Sequence, residues 1–123
     1  MAYDQGLAER IRGVLRDTPG VTEKSMFGGL AFLVRGHMCV GIVRDDLMVR
    51  VGADAHDRMV KAPHARVMDF TGRPMKGFLY VAADGYESDP DLHHWVAHAL
   101  AFLSTLPAKV ARGAPPRSRR MKN

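Results

Sequence analysis

From Leu30 to Val51 the apolar residues of this chain alternate with a period of two, whereas on either side they recur at helical spacing. That change of period constrains the fold most, because an alternating segment lays its side chains on the two faces of a sheet. Leu30, Phe32 and Val34 project to one face, Ala31 and Leu33 to the other. Arg35-Gly36-His37 reads as a turn, after which Met38, Val40 and Ile42 resume the alternation. A second turn at Asp45-Asp46 leads to Leu47, Val49 and Val51, with Met48 and Arg50 opposite. Three short strands joined by tight turns predict an antiparallel meander. Apolar groups on both faces of its first two strands predict cover from both sides, by helices or a partner subunit.

Helical spacing brackets this meander. Residues 4–17 predict an amphipathic helix with Leu7, Ile11, Val14 and Leu15 on one stripe, Asp4 at its positive end and Thr18-Pro19-Gly20 as its stop. Ala53 to Lys61 predicts a short helix capped by Asp54, with Met59 and Val60 inward and Pro63 beyond it. Two further strands, Val67 to Phe70 and Gly77 to Ala82, flank a turn at Thr71-Gly72-Arg73-Pro74. The last helix opens at Asp89-Pro90-Asp91, presents Leu92, Trp95, Val96, Ala99, Phe102, Leu103 and Leu106, and ends at Pro107. The order α-β-β-β-α-β-β-α predicts an α+β fold, a five-stranded antiparallel sheet with flanking helices.

A chain of 123 residues suits one domain, which we place at 1–106. Beyond it, residues 107–123 form a basic tail with few apolar groups, a composition that predicts disorder. Of 18 Lys and Arg against 13 Asp and Glu, six lie there: Lys109, Arg112, Arg117, Arg119, Arg120 and Lys122. No acidic residue accompanies them, so the body holds 12 basic and 13 acidic groups. The positive charge belongs to the tail, and those six residues are the candidate contacts to nucleic-acid phosphates.

The single cysteine, Cys39, excludes an internal disulfide and leaves zinc without a second thiolate; within an alternating strand it reads as a packed side chain. Leu92 to Leu106 is too short and too polar for a membrane span, and the amino terminus lacks secretory-signal features. A cytoplasmic location is expected. His94 and His98 stand four apart on the last helix, a chelating spacing, but without the further ligands of a zinc site. No serine lies in a nucleophile elbow, and Phe27-Gly28-Gly29 and Gly72-Arg73-Pro74 fit no phosphate-binding fingerprint. No catalytic, cofactor or metal residue is therefore expected. Arg35, Arg50, Arg73 and Lys76 form either a solvated surface or, if they converge with a histidine in a pocket, an active site.

Five segments stand in order along the chain: Met26-Phe27-Gly28-Gly29-Leu30-Ala31-Phe32-Leu33, Gly36-His37-Met38, Asp46-Leu47-Met48-Val49-Arg50-Val51, Met68 through Gly77, and Leu92-His93-His94-Trp95-Val96. In this ordered set the sequence resembles the amino-terminal domain of the TfoX/Sxy family. The resemblance implies a secretion-chaperone-like layering of an antiparallel sheet and helices. It also implies a regulatory role in natural competence, where members act as transcriptional co-regulators with the cyclic-AMP receptor protein. It supplies no enzymatic residues. Met26, Phe27, Gly28, Gly29, Gly72, Arg73, Pro74, Lys76, Gly77 and Trp95 come over as family marks of structural character. Longer members add a helical second domain where this chain has its basic tail. A non-enzymatic domain is expected, with a protein partner such as a transcription factor or a second copy; weak nucleic-acid binding through the tail is the alternative.

Overall fold

The computed structural model describes residues 3–26, 28–70 and 73–106, without the side chains of Phe70, Arg73 and Pro74. Expectations on Phe27, Gly72 and the tail lie outside the described residues. Helix α1 spans Gln5–Val14, and Asp4 caps it by accepting from the Leu7 amide at 3.1 Å. Strands follow at β1 Val21–Met26, β2 Gly29–Val34, β3 His37–Val43 and β4 Asp46–Arg50. Helix α2, Ala53–Met59, leads to β5 Ala65–Phe70 and β6 Arg73–Val81, and α3, Asp89–Leu103, closes the domain. Ser88 caps α3 by accepting from the Asp91 amide at 3.1 Å, with Pro90 in the first turn where no donor is needed.

The fold is α+β, as the periodicity implied, but the antiparallel sheet has six strands rather than five, in the order β1-β2-β3-β4-β6-β5. The additional strand is β1, whose Thr22, Glu23, Lys24 and Ser25 are all exposed, so it has no apolar alternation to read. Pairing with β2 makes it a strand. Three other expectations are corrected. The turn before β4 centres on Arg44 and Asp45, where Arg44 adopts φ 56°, and Asp46 already belongs to the strand. Arg73 and Pro74 are likewise in β6 rather than in a turn. Finally, α2 begins after Gly52 with no side-chain cap, so Asp54 sits within the first turn.

The core lies on one face of the sheet. Phe32, Val40, Ile42, Leu47, Val49, Leu79 and Val81 meet Leu7 and Ile11 of α1 and Leu92, Trp95, Val96 and Ala99 of α3. Helix α3 rests on β3 and β4, α1 on α3, and α2 on β6. Arg12 of α1 grips Glu23 of β1 with two bonds, 2.7 and 2.8 Å, tying the helical layer to the sheet edge. Arg10 donates to the carbonyls of Tyr86 and Glu87 at 2.9 and 3.0 Å and so fixes α1 against the approach to α3. Of the predicted two-sided cover, by helices or a partner subunit, the described helices supply one face.

Candidate docking surface

Strand register decides what the other face presents. Lys24 pairs with Ala31, Thr22 with Leu33 and Leu33 with Met38. Gly41 pairs with Met48, Met48 with Tyr80, Arg50 with Phe78 and Arg66 with Tyr80. Directly opposed residues share a face, so these side chains form one surface opposite the one that α1 and α3 cover, with Arg50 at its end also reaching Phe102 of α3. Ala31 and Met48 are fully buried at its centre yet stand outside the main core. The methyl of Met48 lies across Gly41, in the space a β-carbon there would need. Leu33, Met38, Phe78 and Tyr80 are half-buried around them. A face of thioether, aliphatic and aromatic groups with no described helix over it is suited to receiving something flat or extended.

Cations stand among the rings. The Arg66 guanidinium is 4.9 Å from the Tyr80 ring centroid, and Asp46 holds its far side at 2.6 Å. Arg50 lies between two rings, 5.5 Å from Phe78 and 5.3 Å from Phe102, and donates to the Met38 carbonyl at 3.5 Å. Burial, then the negative charge of Asp46, raises the Tyr80 hydroxyl above its ordinary range, so the ring is neutral at pH 7. Register also puts the β2–β3 turn, the end of β4 and the beginning of β6 at one end of the sheet. Exposed Arg35 and Lys76 are therefore at the same end as Arg50. Four groups were named from sequence as a candidate surface; three share this end, and the side chain of the fourth, Arg73, is not described.

The family marks take ordinary structural positions. Gly29 passes too close to the Ile42 carbonyl for any side chain. Gly77, at φ 94°, accepts from the amides of Val51 and Gly52 at 2.8 and 3.1 Å. Its own amide donates to Nδ1 of His56 at 2.9 Å. Buried His56 went unnoticed in the sequence, although its position three residues before Met59 puts it on the inner side of α2. Trp95 packs in the core while its Nε1 donates to the Gly85 carbonyl at 3.1 Å. Met26 is half-buried and Lys76 exposed.

Elsewhere, a cleft of about 550 Å³ separates α1 from α3 at Gly13, Val14, Pro90 and His93, and a second of about 550 Å³ lies between α2 and α3. His94 and His98 stack edge to face at 4.5 Å, and partial burial followed by the nearby His94 lowers the His98 pKa. Among the described residues no group of three or more His, Cys, Asp or Glu is placed to hold a metal ion, and no helix is long and apolar enough to cross a membrane.

Cys39 is fully buried, and desolvation pushes its thiol up to about 12. Native protein at pH 8 should therefore resist a thiol-reactive disulfide dye for as long as it stays folded. Adding denaturant should release one equivalent of colour at once. Prompt labelling of the native chain would contradict this burial.

These elements define a one-layer antiparallel sheet backed by helices on a single face, a small α+β domain. The chain belongs to the TfoX N-terminal domain family, whose model matches residues 14–103. The match runs from the end of α1 through α3. Neither a search of curated proteins nor one of solved structures finds a match.

Proposed function

We propose that this chain is a non-enzymatic docking domain of transcriptional regulation, acting in the cytoplasm, with the helix-free face of the sheet as its docking surface. One observation carries the proposal: Leu33, Met38, Phe78 and Tyr80 stand half-buried on a face that no described helix covers. Family membership supports a regulatory setting. Edge-to-edge self-association is the weaker route to a partner. Pairing two β1 strands about a two-fold axis, in either of the longest registers, sets Glu23 against Glu23 or Lys24 against Lys24.

The test is photo-crosslinking in cells. A photoreactive side chain at Leu33 should give discrete adducts, and the same group at exposed His93 on the helical side should not. Met38→Glu, which places a charge in the surface, should remove the Leu33 adducts while leaving the urea midpoint nearly unchanged. Adducts from His93 alone would place docking on the helices and refute the proposal.

A further inference from the structure

We propose that the ligand of this face is a single strand of nucleic acid, with bases on Phe78 and Tyr80 and phosphates on the cations around them; this rests on the docking role above. The first ground is spacing. Phe78 and Tyr80 stand at i and i+2 on β6, so their rings are offset along the strand by about 6.5–7 Å. That pitch matches successive nucleotides of an extended strand, whose bases stack on aromatic side chains irrespective of sequence.

What already occupies the rings is the second ground. Arg66 and Arg50 lie over Tyr80 and Phe78 as planar, delocalised cations, at 4.9 and 5.5 Å from the centroids. A nucleobase is also planar and polarisable, and it suits the same aromatic rings. Arg50 makes no ion pair among the described residues and only one long hydrogen bond, to the Met38 carbonyl, so most of its donors can turn to a phosphate. Arg66 remains anchored by Asp46 and borders the Tyr80 site.

Charge supplies the third. Asp46 on this face is held by Arg66, and Asp69 of β5 is a second carboxylate near Tyr80, beside the Arg66 and Arg44 cations. Lys24 on β1, and Arg35 and Lys76 at the end of the sheet, are exposed. An acidic polypeptide could cover the apolar groups and pair these cations, but it would not require two rings spaced at the pitch of successive bases. A duplex would hide the base faces that the rings require. A single strand satisfies both sets of groups.

Fluorescence anisotropy of the full chain with a labelled oligothymidylate of about 12 nucleotides tests this. Binding is expected at low salt. Phe78→Leu and Tyr80→Leu should each weaken it roughly tenfold with an unchanged salt slope, because stacking and not charge is lost. Tyr80→Trp should retain binding, and Lys24→Gln should reduce the slope by about 0.7, one phosphate's share on a single strand. A full-length variant with its six tail cations changed to serine separates the two basic regions; ring dependence should survive in it. Trp95 fluorescence and the urea midpoint check that every variant is folded. Binding indifferent to both leucine variants, or abolished by the tail change alone, overturns the proposal. Absence of oligonucleotide binding with persistent Leu33 crosslinks to a protein sinks the nucleic-acid ligand but keeps the docking surface. Loss of both sinks both.

Discussion

Phe32→Ala should lower the unfolding free energy by about 3–5 kcal/mol, the cost of deleting a fully buried ring and leaving a cavity. Phe32 is 0% exposed on β2 and belongs to the cluster that joins sheet to α1 and α3. Its cross-strand partners are Glu23 and Val40. Against a total stability of about 5–15 kcal/mol this is a large fraction. Urea titration should show a lower midpoint at unchanged slope, and thermal unfolding should begin roughly 10–20 °C earlier. Phe78→Ala makes the informative comparison. The same ring is removed, but from the half-buried open face, so the loss should be less than about half as large. Equal losses would mean that the second face is packed as tightly as the first, and the docking surface would have no basis.

This difference between the two faces explains how much the sequence disclosed. The helices α1 and α3 were legible because each has a cap and one apolar stripe, and packing uses that stripe directly. Strands β2 to β4 were legible for the same reason at period two. Strand β1 was not, since Val-Thr-Glu-Lys-Ser-Met carries no alternation and forms only because β2 offers it an edge. Apolar residues on both faces of β2 and β3 suggested double cover. Alternation reports that a face prefers to leave water, but not whether a helix of the same chain or a ligand removes it. Arg50 shows the same limit: its charge was visible, whereas its place between Phe78 and Phe102 depends on residues 28 and 52 positions away in sequence. His56 was hidden because one imidazole on a seven-residue helix makes no pattern, and its partner is a backbone amide.

Two adjacent glycines in the family motif should respond very differently to one added methyl group. Gly28 has φ 75° and open space where a β-carbon would go, so Gly28→Ala should cost about 1 kcal/mol, all of it conformational. Gly28→Asn should cost less, because asparagine tolerates the left-handed region. At Gly29 the backbone is ordinary, but a β-carbon would overlap the Ile42 carbonyl oxygen and lie 3.0 Å from its carbon. That carbonyl is part of β3 and cannot retreat without disturbing the β2–β3 ladder, in which Leu30 pairs with Ile42. Gly29→Ala should therefore cost about 3 kcal/mol, the upper end of ordinary overpacking. Because β2 and β3 also carry Leu33 and Met38, the displaced strands should reshape the docking surface. Amide exchange should then quicken along β2 and β3 in Gly29→Ala but remain as in the parent in Gly28→Ala. If the two alanine variants prove equally stable, close approach of β3 is not what requires glycine at position 29.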